Sequence, residues 1–286
     1  MRPAAPRFIA CRESPTQRGI VLYGIPFEGR VNLRKGADDG PRGLRLASDS
    51  IETYSPDLGR DLEDLPLFDL GDCELPAGAP PRGQLDAARE EIRRWWHPAL
   101  IPFMLGGDHT ATVPVIEALA PVIPDLRILQ LDAHPDTREE FLGERYNYAS
   151  AMARVMDVLP ARHVYQVGMR TGSREEFERG HPNFFPVIAG RPLDVIKRLL
   201  PELEGYPLYV TIDVDVLDPS HAPGTGSPEP GGLSVPELIE IVRLLGGCQV
   251  IGGDLVEVAP IWDQTGRTGI AASWVIREAL LTWWGK

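Results

Sequence analysis

The sequence predicts an α/β protein with three layers, α/β/α, around a mainly parallel sheet of about eight strands. Two observations predict it. Short apolar runs rich in Ile, Leu and Val recur along the chain, as strands buried on both faces require, and helical patterns separate most of them. Clusters of Asp and His directly follow three of those runs, and the carboxyl ends of parallel strands share one sheet edge, where open α/β folds bind ligands.

In chain order, strands are expected near 19–25, 65–70, 101–106, 126–132, 162–168, 185–188, 207–213 and 248–256. LDAAREEIRRWW at 85–96 and SVPELIEIVRLL at 234–245 read as helices. Ser234 and Glu237 form a capping-box signature with a proline in the first turn, which sets the start of the second helix. TGIAASWVIREALLTWW reads as a closing helix over the sheet. Proline and glycine concentrate in loops such as ELPAGAPPRG and APGTGSPEPGG. Neither carries a phosphate-loop lysine or a GxGxxG leading into a helix, so nucleotide binding is not expected; the second reads as a rigid wall of the active site. A chain of 286 residues can hold one large domain or two small ones. Clusters spread from 109 to 215 that must meet in one site argue for a single domain, 1–286, and no long linker, repeat or low-complexity block interrupts it.

The formal net charge of -12 disfavours nucleic acid and anionic membranes as partners and weakly suits a cationic substrate. Cys11, Cys73 and Cys248 are odd in number and lack metal spacing, and MRPAAPRFIA has no apolar signal core. A reducing cytoplasm is the location these features suggest. No run approaches the roughly 18 apolar residues of a membrane span.

The chemistry lies in the clusters: His109 in GGDHT, then Asp132, His134 and Asp136 in LDAHPD, then Asp213 and Asp215 in TIDVDVLDP. Alone, an Asp-x-Asp is commonly a solvated turn or a helix cap. Three such clusters, each at a strand end, point to a metal site. Residues two apart on a strand face the same way, so the members of each cluster can converge. Four carboxylates with two neutral imidazoles carry a formal charge of minus four, which one divalent cation would leave half uncompensated and buried at heavy cost, whereas two cations balance it. A mixed oxygen and imidazole shell favours Mn(II) or a similar first-row ion over structural zinc. Two such ions about 3.5 to 4 Å apart can activate water toward an electrophilic carbon or phosphorus, so metal-assisted hydrolysis is the expected reaction class.

GGDHT, DAHPDT and DVDVLDPSHAPGTGSPEPGG closely resemble the three metal motifs of the ureohydrolases, the arginases and agmatinases, in their order and at comparable spacing. The likeness extends to GIPFEGRVNLRKGADDGPRGLR, IETYSPDL, VGMR and GGDLVEVAP, nearly the whole chain, and 24–71 with DTREEFLGE looks more like agmatinases than arginases. The resemblance implies an arginase/deacetylase-like fold and a pair of Mn2+ ions held by His109, Asp132, His134, Asp136, Asp213 and Asp215. It further implies a bridging hydroxide oriented by Asp136, a substrate guanidinium held by Glu257, products urea and an amine, and assembly as a homo-oligomer, trimer or hexamer. Tyr148 falls where many members carry a histidine thought to shuttle protons or contact substrate. A phenol with a pKa of about 10 is a poor shuttle, though it can hydrogen-bond. Agmatine is the favoured substrate. The alternatives are arginine or another guanidino acid, or a metal-binding relative with weak or no turnover. Metal-dependent deacetylases, similar in fold, usually keep a single zinc with adjacent histidines, and this chain has no such pair. His221, in a loop beside the third motif, could compensate for the missing histidine but reads first as an idle loop residue, and His163 and His181 read as structural or surface residues. Arg138 could turn inward to meet an acidic group on the substrate, but reads first as a surface partner of Glu139 or Glu140.

Overall fold

Parallel pairing sets the architecture. The computed structural model describes residues 6–12, 18–31 and 34–285. Its strands are β1 (Gly19–Ile25), β2 (Tyr54–Ser55), β3 (Arg60–Asp61), β4 (Leu67–Asp72), β5 (Leu100–Gly106), β6 (Arg127–Leu131), β7 (Val164–Val167), β8 (Phe184–Phe185), β9 (Pro207–Asp213) and β10 (Gln249–Val256). Its α-helices are α1 (Gly40–Ser48), α2 (Pro81–Trp95), α3 (Thr112–Leu119), α4 (Ala151–Met156), α5 (Arg174–Arg179), α6 (Pro192–Leu203), α7 (Val235–Leu244) and α8 (Arg267–Trp284). Eight strands form one sheet in the order β4-β1-β5-β10-β9-β6-β7-β8, parallel at every pairing. β2 and β3 make a separate antiparallel pair.

Alternation along the strands builds the two outer layers. Ile20 and Leu22 of β1 pack in one core with Leu44 of α1, Leu199 of α6, Ile241 of α7 and Ile276 of α8. Tyr23 and Ile25 of the same strand join Ile92 of α2, Val115 of α3 and Met152 of α4 on the opposite face. The capping box at Ser234 forms as expected: Ser234 Oγ accepts from the Glu237 amide at 3.4 Å and Glu237 Oε2 accepts from the Ser234 amide at 2.9 Å.

Several strand bounds shift by a residue or two from the sequence reading, and two of the shifts have a visible cause. The eighth strand, expected over 185–188, is only Phe184–Phe185, followed by a short 3-10 turn at Val187–Ala189. Pro186 has no N–H for the ladder, which ends there. β4 begins after Pro66 and runs to Asp72, because Arg45 of α1 ties down its far end. That buried guanidinium donates to Asp69 Oδ2 and Oδ1 at 2.8 and 2.9 Å and to Asp72 Oδ1 at 2.6 Å. Cys11, Cys73 and Cys248 are unpaired, and among the described residues no helix is long and apolar enough to cross a membrane.

Candidate metal centre

The sheet order brings the site together. β5, β10, β9 and β6 are consecutive neighbours, so the segments that leave their carboxyl ends meet at one edge. After β5 the chain turns through Gly106 and Gly107. A Cβ on Gly107 would stand 2.0 Å from the Phe27 carbonyl oxygen, so this crossing admits only glycine. Asp108 then braces the turn, accepting from the Thr110 amide at 2.9 Å and the Gly29 amide at 2.7 Å, and His109 follows. Burial pushes the Asp108 carboxyl up to about 6 despite those bonds. After β6, Asp132 Oδ1 accepts from the His134 amide at 2.6 Å, which folds the cluster back on itself. After β9, Asp213 Oδ1 accepts from the Asp215 amide at 2.8 Å.

All six sequence-predicted ligands converge. His109 Nδ1 faces Asp132 Oδ2 at 3.0 Å, Asp136 Oδ2 at 3.1 Å and Asp213 Oδ2 at 3.4 Å. His134 Nδ1 faces Asp215 Oδ2 at 2.9 Å and Asp132 Oδ1 at 3.7 Å. Two groups of potential ligand atoms result, His109–Asp132–Asp213 and Asp132–His134–Asp215, each spanning no more than 4.8 Å. Asp132 turns one oxygen to each and so joins them.

This donor set fits a pair of divalent cations. His109 Nδ1 is buried, has no hydrogen-bond partner, and points among three carboxylate oxygens. Its other nitrogen, Nε2, lies 3.0 Å from Thr211 Oγ1, which donates to Asp254 Oδ1 at 2.5 Å, so the Nε2–H tautomer leaves the Nδ1 lone pair facing the centre. A lone pair among carboxylates is repulsive unless positive charge sits between them. Burial opposes protonation of His109, but Asp132, Asp136 and Asp213 overcome it and hold its pKa well above the usual value. Conversely, burial together with the charges of Asp215 and Asp132 pushes Asp213 far up, and burial with Asp132 pushes Asp136 up to about 7. Each shift reflects the excess of negative charge gathered at this buried edge.

Glu257, one residue past β10, completes the edge. Its Oε1 accepts from the His109 amide at 2.8 Å, and its own amide donates to the Gly107 carbonyl at 2.8 Å. Asp136 and Glu257 both hold positive φ, 53° and 65°, a conformation that costs free energy for residues other than glycine and clusters at functional sites. Beyond Glu257 opens a cavity of about 350 Å³ lined by Glu28, Arg34, His134, Tyr148 and Glu229 among others. Tyr148 stands on its wall, its ring edge-on to Phe141 at 5.8 Å. The loop expected to form a wall does so through Gly226, Ser227, Pro228 and Glu229.

Residues 18–282 match the model of the arginase family. The chain belongs to the arginase family. Members are hydrolases that cleave C–N bonds of guanidino compounds at a two-metal centre. Among its relatives, the agmatinase of Bacillus subtilis (strain 168) is 41% identical over 276 residues, 96% of this chain and 95% of the relative. The agmatinase of Bacillus anthracis is 40% identical over 278 residues, 96% of each. The crystal structure of agmatine ureohydrolase of Thermoplasma volcanium superposes with a TM-score of 0.86 at 28% identity, covering 98% of this chain and 94% of that one.

Several residues of this arginase-family site escape sequence reasoning. Asp254 is buried and accepts from Thr211, Tyr209 and Thr112 hydroxyls, and burial pushes its carboxyl up to about 6. The only signal was an acid inside an apolar strand. Arg170, from the VGMR motif, donates to the carbonyls of Asp215 at 2.6 Å and Glu229 at 2.7 Å, clamping the third metal segment to the cavity wall. Arg138 is a correction: it pairs with Glu176 at 3.1 Å, not with Glu139 or Glu140, and lies over Phe141. The backbone bend at Asp136 turns it toward a second, adjoining cavity of about 210 Å³ that shares His134, Tyr148 and Glu229 with the first. His181, read as structural or surface, is joined to the interior by a hydrogen bond to Gln166. His221 is half-buried, with its amide bonded to the Asp218 carbonyl at 2.8 Å, and is not among the residues lining the cavity.

Proposed function

We propose that this chain is an agmatinase-like amidinohydrolase that hydrolyses agmatine to putrescine and urea with a pair of manganese ions. The observation that carries the reading is the placement of Glu257, which touches the backbone of His109 and opens onto the cavity beside the ligand cluster. His109, Asp132, Asp136 and Asp213 would hold one ion, and Asp132, His134 and Asp215 the other. When bound, the ions supply Lewis acidity that lowers the pKa of an attacking water toward neutrality.

The chain's own groups do the rest. Glu257 offers a carboxylate to the planar guanidinium; a two-point, charge-assisted pair fixes the plane of its three nitrogens and so aims the central carbon. Asp136 accepts a hydrogen bond from the attacking water and orients its lone pair toward that carbon. Water adds to the guanidinium carbon, the bond from that carbon to the alkyl nitrogen breaks, the amine leaves protonated, and urea remains. Tyr148, on the cavity wall, contacts the substrate. Glu28, Glu229 and Glu257 against Arg34 make the cavity acidic, which suits a substrate cationic at both ends. Arg34, stacked 4.8 Å over Trp262, favours a second reading, a substrate with a carboxylate tail.

The deciding experiment is urea release from manganese-loaded protein across agmatine, arginine, guanidinobutyrate, guanidinopropionate and guanidine, with a chelated control. Metal-dependent release from agmatine above the others is expected. Preference for an acid-tailed compound would establish the second reading, and silence across the panel in protein holding two ions would overturn both. We further infer a single domain and a cytoplasmic homo-oligomer, trimer or hexamer. The exposed side chains of Ile261, Trp262, Ile270 and Trp274 support assembly, and light scattering tests it.

A further inference from the structure

Two fully buried glutamines interrupt the apolar runs of adjacent strands: Gln130 in β6 and Gln166 in β7. They are register partners in the parallel ladder, and both amides lie on the face covered by α2, α3 and α4. Burying an amide is tolerated only when its polar atoms are paired. Here the pairing runs in one direction. Gln130 Nε2 donates to Asp132 Oδ2 at 2.5 Å and to the His134 carbonyl at 3.2 Å. Gln166 Nε2 donates to Gln130 Oε1 and to the Pro135 carbonyl, each at 2.5 Å. Gln166 Oε1 lies 2.7 Å from His181 Nε2.

Chemistry at the ends sets that direction. Asp132 as a carboxylate and the two carbonyls can only accept, so both amide nitrogens must point toward the metal loop. The Gln166 oxygen is then left facing His181, whose Nε2 must carry the hydrogen. His181 Nδ1 meets the Asn183 amide at 3.4 Å as acceptor, which selects the neutral ring, and burial lowers its pKa in the same sense. His181 also lines a separate cavity of about 310 Å³ beside the β7 and β8 edge, so the chain of bonds runs from the metal loop to a solvent-accessible rim.

We propose that Gln130, Gln166 and His181 act as a positioning chain for the segment Asp132–Asp136, holding the shared carboxylate and two backbone carbonyls in a metal-ready geometry before any ion arrives. This rests on the metal-centre reading above. Three of the six candidate ligands lie on that segment, and the two glutamines hold it at the Asp132 side chain and at the carbonyls of His134 and Pro135. Outer partners of metal ligands typically change affinity by roughly 10- to 100-fold when removed.

The test is manganese(II) titration of the chelator-treated full chain, read by calorimetry and by the free-ion EPR signal, for Gln130→Met, Gln166→Met, the double variant and His181→Ala. Methionine keeps the volume while removing donors and acceptor. Each glutamine variant should weaken manganese binding by roughly tenfold or more, and the double variant by little more than either single one, because a broken chain is not broken twice. His181→Ala, a change at a half-buried rim, should weaken it by a smaller factor while leaving the metal-free melting temperature unchanged. If the unmutated protein takes up no manganese, the metal reading fails and this inference with it. If it takes up manganese and all variants match it within twofold, or if affinity falls only in step with the metal-free melting temperature, the positioning role alone is overturned.

Discussion

Glu257 and Tyr148 both line the cavity beside the ligand cluster, and their predicted losses differ in kind. Glu257 is buried, and burial together with the charge of Asp108 raises its pKa far above the usual carboxylate range. A guanidinium arriving beside it restores the charge and forms the pair. Glu257→Gln keeps the amide bond from His109 but loses the charge, so kcat/KM for agmatine should fall by about 3 kcal/mol, roughly a hundredfold, with manganese binding retained. Equal kcat/KM in a steady-state assay would remove Glu257 from substrate binding. Tyr148→Phe keeps the ring against Phe141 and deletes only the hydroxyl. About 1 kcal/mol, some fivefold in kcat/KM carried mainly by KM, is expected for a lost neutral hydrogen bond to substrate. A collapse of kcat with KM unchanged would instead make the phenol a proton carrier.

Loops and helix starts carry the next set of consequences. Arg170 holds the carbonyls of Asp215 and Glu229 at once, so Arg170→Met should free the 226–230 wall and raise KM roughly tenfold while the melting temperature moves little. An unchanged KM would mean that the wall is held by its prolines alone. At the start of α8, Asp263 accepts from the amides and hydroxyls of Thr265 and Thr268, while the Thr268 hydroxyl accepts from Gly224. Burial works against the charge, but those bonds win and lower its carboxyl to about 2. The folded pKa lies below the unfolded one, so this stabilisation is complete above about pH 4 and is lost as pH falls through about 2. Asp263→Asn should therefore melt lower than the unmutated protein at pH 7, and the gap should close between pH 4 and pH 2; a pH-independent gap in calorimetry would refute the electrostatic account. Elements of this kind were partly legible. Ser234 and Glu237 announce their helix because both halves of the box lie within one turn of sequence. The apolar runs announce β5, β6, β9 and β10 for the same local reason. The roles of Asp254, Arg170, Gln166 and Arg138 stayed hidden because each acts on a partner distant in sequence, and the small pair β2 and β3 has too few residues to show a period.

At the scale of the whole molecule, the candidate centre is also a fastening of the fold. The six potential ligands come from segments following β5, β6 and β9, and the sheet places β10 between two of those strands. Without cations, four carboxylates converge on a buried edge, and protons on His109, His134, Asp136 or Asp213 relieve the repulsion. Cations remove that cost in the folded state, and they have no comparable site in the unfolded chain, where the clusters are far apart. By linkage, free metal at about 100 times its dissociation constant adds about 2.7 kcal/mol per site. For a chain of this size 1 kcal/mol corresponds to roughly 2–4 °C, so manganese should raise the melting temperature by about 5–10 °C for each site filled. The rise should grow with the logarithm of free manganese, and Asp132→Asn, which weakens the carboxylate shared by both groups, should flatten that dependence more than Asp215→Asn, which belongs to one group only. Differential scanning calorimetry over a manganese series checks both statements. A melting temperature indifferent to manganese would show that these carboxylates do not bind it, and the proposed hydrolysis would lose its centre.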